Sequence, residues 1–189
     1  MTMFARDLSV AHYRSFDSYR LVLDEGVTVL AGPNAAGKTN LIEALQLLTS
    51  GASFRHPTAA ELVHDGVGPC KVELRLEGDG RVLDMGLSVE DGKRSFSRNG
   101  KRCAASGVRG VLPSVLFCPD HLDMVKRGAS VRRTALDDFG VQLSARYADL
   151  ASAYGRCVTQ RNALLKESWC CREMLGAWNE SIARAGSAL

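Results

Sequence analysis

The sequence predicts an α/β lobe built on a mixed sheet, followed by the start of an all-helical domain. Three patterns predict this. A compact apolar run precedes a glycine-rich loop and a helical repeat, which is a strand, loop, helix order. Further along, charged and apolar residues alternate with period two, and beyond Ser130 the pattern is helical to the end. We expect the first domain to cover residues 1–118 and the helical domain residues 119–189.

Strand patterns fill the first third of the chain. Apolar and β-branched residues bounded by turn residues predict strands over Phe4–Ala11, Tyr19–Leu23 and Val27–Ala31. Apolar residues at helical spacing then predict a helix from Gly37 that stops before Gly51. Thr58 is the predicted cap of a short helix through Glu61 and Leu62.

An antiparallel meander is predicted downstream of this helix. Residues 71–76 alternate between charged and apolar side chains, and two more strand patterns follow at Arg81–Val89 and Arg94–Arg98. Val115–Cys118 predicts a further, buried strand that Pro119 ends.

The composition is that of a globular protein. Of the 189 residues, 46% are hydrophobic and 24% are charged, which suits a folded core and argues against disorder. No run approaches the roughly 18 apolar residues of a membrane helix, and the N-terminus lacks a signal-peptide pattern. The six cysteines form no CxxC pair and no Cys/His ligand grid. We therefore expect a cytoplasmic protein with no membrane association.

The strongest motif is Gly32-Pro-Asn-Ala-Ala-Gly-Lys-Thr39, which fits GxxxxGK[ST] between a predicted strand and a predicted helix. Its glycines let backbone N–H groups surround phosphates, and the helix start aims its positive end at the same anion. Lys38 is predicted to reach the β and γ phosphates, and the Thr39 hydroxyl to ligate Mg²⁺. The predicted nucleotide-binding residues are Gly32, Pro33, Asn34, Ala35, Ala36, Gly37, Lys38, Thr39 and Asn40. For Asn34, tolerance of left-handed backbone is the alternative to a phosphate contact.

Charge is unevenly distributed along the chain. The formal net charge is +3, yet the segment from Gly92 to Arg133 holds ten basic residues and two acidic ones. Such a block suits a polyanionic partner. The alternative is a solvated surface whose charges are balanced by acidic neighbours in space. The basic residues are Lys93, Arg94, Arg98, Lys101, Arg102, Arg109, Lys126, Arg127, Arg132 and Arg133.

Further segments occur in the order and spacing of the RecF family, which the chain resembles over nearly its whole length. RecF proteins are DNA replication and repair ATPases whose heads resemble those of ABC transporters, Rad50 and SMC proteins. The resemblance implies the P-loop NTPase lobe of an ABC-type head. It also implies an ATP-dependent homodimer on single-stranded or gapped DNA that helps RecO and RecR load RecA, in recombination and the SOS response. The segments are His12-Tyr-Arg-Ser-Phe16, Asn40-Leu-Ile-Glu-Ala44, Ser53-Phe-Arg55, Phe117-Cys-Pro-Asp120, Arg132-Arg-Thr-Ala-Leu-Asp137 and Gln160-Arg-Asn-Ala-Leu-Leu-Lys166.

Three arginines are further candidates. Arg14 resembles the arginine near the phosphates in Rad50-type heads, and its fork of donors suits that role. A plain strand-edge arginine is the alternative. Arg132 and Arg133 are candidate contacts to DNA phosphates. Ordinary helical ion pairs with Asp137 and Asp138 are the alternative there.

The chain also departs from the family pattern. Hydrolysis in this family needs a Walker B strand and a serine/glycine-rich signature, and neither is found in the sequence. Val115–Cys118 with Pro119 and Asp120 is the nearest match to Walker B, and it has a proline and a single acid. We therefore expect an N-terminal fragment that binds ATP with little or no hydrolysis. The alternatives are a nucleotide-sensing module without turnover, a small kinase and a Rad50-like head.

Overall fold

The computed structural model describes residues 3–66, 68–118, 126, 128–166 and 172–189. The chain divides into two compact units, Met1–Leu116 and Phe117–Leu189, so the division falls two residues before the predicted boundary. The first unit is α/β and the second is helical. The predicted fold class is confirmed.

The first unit is a six-stranded antiparallel sheet with one long helix packed on one face. The strand order across the sheet is β2-β1-β3-β4-β5-β6, and every pair of neighbours is antiparallel. Three short 3₁₀ turns connect the elements, at Ala60–Leu62, His64–Gly66 and Ala105–Gly107. The strands and the helix are β1 (Phe4–Tyr13), β2 (Phe16–Val22), α1 (Lys38–Ser50), β3 (Cys70–Gly78), β4 (Arg81–Glu90), β5 (Lys93–Arg98) and β6 (Lys101–Cys103).

The alternation of charged and apolar residues in the sequence determines which side chains of the sheet face the core. In β3 the side chains alternate, with Val72, Leu74 and Leu76 buried and Lys71, Glu73 and Arg75 exposed. The buried face of the sheet packs against the apolar side of α1, as expected for a sheet with one covered face. The predicted meander is confirmed, and β6 is a short edge strand that the sequence analysis did not predict.

The predicted helix after the glycine-rich loop is confirmed as α1. Leu41, Ala44 and Leu47 are its buried face. Gly51 ends it in a left-handed conformation (φ 71°), and the Gly51 N–H donates to the Leu47 carbonyl at 3.1 Å. Glycine adopts this conformation without the steric cost that a side chain would bring.

The predicted strands at 27–31 and 115–118 are wrong. Neither segment belongs to the sheet, and Val27, Val29 and Val115 are each more than three-quarters exposed. Apolar composition favours a strand, but a strand forms only where its N–H and C=O groups pair with a neighbour. The described residues place no strand beside either segment, so the sheet is wholly antiparallel rather than mixed. Pro119 lies outside the described residues.

Thr58 caps the turn Ala60–Leu62, as predicted. The Glu61 carboxylate accepts hydrogen bonds from the Thr58 N–H at 2.5 Å and from its hydroxyl at 3.0 Å. The Glu61 N–H donates to the Thr58 hydroxyl at 3.4 Å, which completes a reciprocal capping pair. The turn is 3₁₀ rather than α-helical, and it places Leu62 fully in the core.

The described part of the second unit contains three helices, as the pattern beyond Ser130 predicts. The Ser144 hydroxyl caps the second of them by accepting the Tyr147 N–H at 3.3 Å. Across the second and third helices, Arg161 Nε donates to Asn179 Oδ1 at 2.6 Å. No helix among the described residues is long and apolar enough to cross a membrane. The helices are α2 (Ala129–Leu143), α3 (Ala145–Leu164) and α4 (Arg172–Gly186).

Candidate nucleotide-binding site

The glycine-rich loop is an exposed turn that leads directly into α1. Residues 31–36 are exposed, and the backbone has positive φ at Gly32 (156°), Ala35 (64°) and Gly37 (88°). Left-handed backbone costs an alanine about 1 kcal/mol, so Ala35 is held in this conformation by the loop around it. Where left-handed and right-handed residues alternate along the backbone, successive N–H groups point to the same side. Such N–H groups form the concave phosphate-binding sites called nests.

Lys38 folds back across the loop. Its ammonium donates to the Gly32 carbonyl at 2.8 Å and to the Pro33 carbonyl at 2.6 Å. An ammonium has three donors and these contacts use two, so one remains for a phosphate without moving the side chain. The predicted cation of the site therefore lies on the loop that it is expected to serve.

The start of α1 is suited to an anion. Its N-cap, Gly37, offers no side-chain acceptor to the first-turn N–H groups, and the first turn has no acidic residue. The positive end of the helix dipole is thus neither capped nor neutralised within the helix. This donor set fits a phosphate chain, and the exposed Thr39 hydroxyl beside it fits a Mg²⁺ ligand of oxygen type.

Asn40 is part of the scaffold around the loop. Its Nδ2 donates to the Ser15 hydroxyl at 3.0 Å, and its Oδ1 accepts from Arg55 Nη1 at 2.8 Å. Ser15 lies in the turn between β1 and β2, and Arg55 follows α1. Asn40 therefore fixes the first turn of α1 between two segments that are distant in sequence.

Glu43, one turn further along α1, is the centre of a buried polar network. Its carboxylate is fully buried and accepts two hydrogen bonds from Arg14, from Nε at 3.0 Å and from Nη2 at 2.8 Å. The Ser53 hydroxyl donates at 2.6 Å, and Arg55 Nη1 lies 3.4 Å away. A bidentate arginine and a hydroxyl satisfy the carboxylate where water cannot.

The network determines the ionisation of its members. Burial by itself raises the pKa of Glu43, but the hydrogen bonds from Arg14 and Ser53 and the arginine charges outweigh burial, so the pKa lies below its usual value. Burial raises the pKa of Tyr13 strongly, and the nearby Glu43 charge adds to this. The Tyr13 hydroxyl is buried without a hydrogen-bond partner among the described residues.

Arg14 is held in place through both its backbone and its side chain. Its φ is +53°, its N–H donates to the Leu62 carbonyl at 2.9 Å, and its carbonyl contacts His64 Nδ1 at 2.6 Å. Its guanidinium is paired with Glu43, as described above. The predicted phosphate contact of Arg14 stays a prediction.

The turn between β1 and β2 presses against the loop at Gly37. A Cβ at position 37 would lie 2.4 Å from Phe16 Cζ and 2.9 Å from the Ser15 hydroxyl. Such distances are shorter than any stable contact, so glycine is required by space as well as by its positive φ. In the sequence motif, Gly37 lets the backbone approach a phosphate closely. In the structure, packing against Phe16 and Ser15 is a second reason for glycine at this position.

We expect Gly37→Ala to lower the stability of the first unit and its affinity for nucleotide. The new methyl must displace the Phe16 ring, which typically costs about 1–3 kcal/mol in addition to the left-handed strain of about 1 kcal/mol. Gly92→Ala is the matched control, because Gly92 has φ 69° with nothing within 4 Å of an added Cβ. Hydrogen exchange of β3 peptides measures the stability of both variants. Equal losses of stability in Gly37→Ala and Gly92→Ala would contradict the packing argument.

Three residues of the site were not assigned a role from the sequence: Glu43, Ser53 and Arg55. All three lie within segments that carried the family resemblance, so the signal was present as a motif. The sequence could not indicate that these segments meet, because their contacts join positions 10 to 29 residues apart.

The basic block of the sequence is divided between the two units. Arg94 donates to the Pro57 carbonyl and Arg109 Nε donates to the Ser50 carbonyl at 2.9 Å, so these two brace loops. Arg132 and Arg133 are exposed on α2 in the second unit. Asp137, one of their suggested ion-pair partners, accepts a hydrogen bond from the Tyr147 hydroxyl at 2.6 Å. Their DNA contact stays a prediction. No cluster of metal-ligating side chains occurs in the described part of the chain.

A nest-like loop, an uncapped helix start behind it and a lysine folded over the loop define the class of P-loop nucleotide-binding proteins. Residues 7–108, more than half of the chain, match the family model of the AAA domain. The chain belongs to the RecF family, since 99% of it aligns with proteins named DNA replication and repair protein RecF.

Two such relatives are 34% identical over 195 residues, in Pseudarthrobacter chlorophenolicus, and 35% identical over 201 residues, in Beutenbergia cavernae. The alignments cover 48% and 50% of those proteins. Among solved structures, the recombination mediator protein RecF of the RecFOR pathway matches with ATPrS at TM-score 0.86 and with ATP at TM-score 0.85. Each match has 27% identity and covers 99% of this chain and 52% of the other. The chain spans about half the length of the relatives it matches.

Proposed function

We propose that this chain is the ATP-binding part of a DNA replication and repair protein that acts in recombination. The observation that carries the proposal is the loop itself, with Lys38 on the carbonyls of Gly32 and Pro33 and an uncapped helix start behind it. RecF structures with ATP and ATPrS are similar to this chain over 99% of its length, which supports ATP as the nucleotide.

In this proposal the residues from Gly32 to Asn40 hold the triphosphate. Backbone N–H groups of the loop and of the first turn of α1 surround the β and γ phosphates, and Lys38 adds a point charge. Thr39 supplies a hydroxyl to Mg²⁺, which neutralises phosphate charge when bound. The Arg14 guanidinium is paired with Glu43, so Arg14 becomes a further phosphate ligand only when bound ATP draws the guanidinium away from that carboxylate.

The wider activity belongs to the whole protein. We propose ATP-dependent homodimerisation on single-stranded or gapped DNA in the cytoplasm, and cooperation with RecO and RecR in loading RecA. A role in the SOS response belongs to the same proposal. Support comes from the names of the relatives and from the RecFOR pathway to which the similar structures are assigned. We propose that this chain alone hydrolyses ATP slowly or not at all, because its sequence holds no convincing Walker B strand.

A second candidate is a nucleotide-sensing module that binds DNA or a protein without turnover. The lack of a Walker B match in this chain favours it. The two candidates share the nucleotide site, and phosphate release by the whole protein in the presence of DNA separates them, because little or no turnover is expected of this chain alone. Release above background indicates an ATPase, and release at background indicates a sensor.

The test is a calorimetric comparison of ATP, ADP and AMP with and without Mg²⁺. Because the loop binds the β and γ phosphates, we expect AMP to bind at least about a hundredfold more weakly than ATP, the equivalent of one or two lost charge-assisted hydrogen bonds. Mg²⁺ should strengthen ATP binding in the unaltered chain and have less effect in Thr39→Val. Equal affinity for ATP and AMP would contradict the proposal.

A further inference from the structure

Three cations on the hairpin formed by β5 and β6 have no counter-charge among the described residues. They are Arg98, Lys101 and Arg102, named here the hairpin cations. All three side chains are exposed, and none forms a hydrogen bond or an ion pair within the described part of the chain. They belong to the basic block whose partner the sequence left open.

Three other arginines of the same sheet are neutralised by carboxylates. Arg6 Nη1 lies 2.6 Å from Asp24, Arg20 Nε donates to Asp7 at 2.7 Å, and Arg75 Nε donates to Asp84 at 2.9 Å. Each of these side chains is at least 41% exposed, so exposure alone does not leave a cation unpaired on this surface. Lys71, Arg81 and Lys93 likewise have no ion pair among the described residues, so the hairpin differs in that its cations are adjacent to one another.

The strand register places like charges side by side. Arg98 is directly opposite Lys101, and Arg102 is opposite Ser97. Cross-strand neighbours have Cα atoms about 5 Å apart, and like charges at that position are destabilising. This repulsion lowers the stability of the isolated chain, and an anion bound over the like charges relieves it.

The turn holds the hairpin cations in a defined position. Asn99 and Gly100 have φ values of 49° and 74°, as a two-residue hairpin turn requires. Asn99 Oδ1 accepts the Asp84 N–H at 2.9 Å, and the Asn99 N–H donates to the Asp84 carbonyl at 2.7 Å. The backbone that carries the cations is thus tied to β4 before any partner arrives.

We propose that the hairpin cations contact the phosphate backbone of DNA, so that the β6 edge is the DNA-binding surface of the first unit. This rests on the proposed function and assigns the contact to a surface other than Arg132 and Arg133. DNA carries one charge per about 1.7 Å of duplex axis, so a backbone that follows the β6 edge meets Arg98 and Lys101 on one face of the hairpin and Arg102 on the other. The hairpin presents no aromatic side chain from Arg98 to Arg102, so the contact reads phosphates and not bases.

The test compares two triple variants that remove the same charge. One is Arg98→Gln, Lys101→Gln and Arg102→Gln, and the control is Arg20→Gln, Lys71→Gln and Lys93→Gln. Binding of a fluorescent gapped duplex is followed by anisotropy over a range of salt concentrations. Loss of the hairpin cations should weaken binding at least about tenfold and reduce the slope of log affinity against log salt by about 2 to 3, whereas the control changes both much less.

Two further measurements distinguish the outcome of the hairpin test from the outcome of the nucleotide-site test. ATP affinity, measured on the same samples, should be unchanged in the hairpin variant. Bound DNA should protect Lys101 from an amine-reactive acetylating reagent more than it protects Lys71. If the two variants bind DNA equally, or if the unaltered chain binds none, the hairpin proposal is overturned. The calorimetric measurement of ATP binding would then still test the proposed nucleotide site. The hairpin cations would serve only to deter pairing of the edge strand with other sheets.

Discussion

Replacing Lys38 by alanine should weaken ATP binding by about tenfold to a hundredfold. The ammonium is the only cation that the described structure holds directly on the loop, 2.8 Å and 2.6 Å from the carbonyls of Gly32 and Pro33. A hydrogen bond to a charged group contributes about 1.5–3 kcal/mol, and each 1.4 kcal/mol corresponds to a tenfold change in affinity. Calorimetry with ATP and Mg²⁺ measures the loss directly.

Lys71→Ala is the matched control for this prediction. Lys71 is an exposed lysine on β3, so its removal changes the net charge equally without touching the loop. Hydrogen exchange in α1 peptides verifies that Lys38→Ala leaves the helix folded. An unchanged ATP affinity in a folded Lys38→Ala variant would contradict the assignment of the loop.

Replacing Glu43 by alanine should destabilise the first unit by about 3–5 kcal/mol. Removing one partner of a buried ion pair leaves the other charge without compensation, and here Arg14 and Ser53 both lose their acceptor. Both tryptophans lie in the second unit, so hydrogen exchange of peptides from α1 and β3 is the suitable measurement. Glu73→Ala, at an exposed glutamate of β3, should cost less than about 1 kcal/mol.

Glu43 also makes the stability of the first unit depend on pH. Its pKa is lowered in the folded state, so its contribution is present above the usual glutamate pKa and is lost as pH falls through the folded-state pKa. In Glu43→Gln the group cannot titrate. The stability difference between the unaltered chain and Glu43→Gln should therefore shrink as pH falls below about 4.5. A difference that stays constant into the acid range would rule out an ionised Glu43 in the folded unit.

The elements around the glycine-rich loop were largely predictable because their determinants are local. A glycine-rich motif followed by apolar residues at helical spacing determines α1, and its end at Gly51 follows from the same stretch. The alternation in β3 likewise follows from neighbouring residues alone. These elements depend on contacts within a few positions, and a single sequence contains that information.

The strands predicted at 27–31 and 115–118 illustrate the limit of local reasoning. Both segments are apolar enough for a strand, yet they lack the paired neighbour that a sheet requires. Conversely, the short strand β6 was missed because three residues carry too little pattern, although pairing with β5 makes it a strand. Whether a segment pairs is decided by what lies beside it in space.

Short-range patterns in the sequence were therefore enough to predict the class of protein, the glycine-rich loop, the helix behind it and the alternating strands of the core. The folded chain was needed to show that Glu43 joins Arg14, Ser53 and Arg55 behind the loop, and that carboxylates pair with Arg6, Arg20 and Arg75 but not with the hairpin cations. The reason is physical. Periodicity and motifs follow from short-range backbone geometry, whereas charge neutralisation and strand pairing depend on residues that only the folded chain brings together.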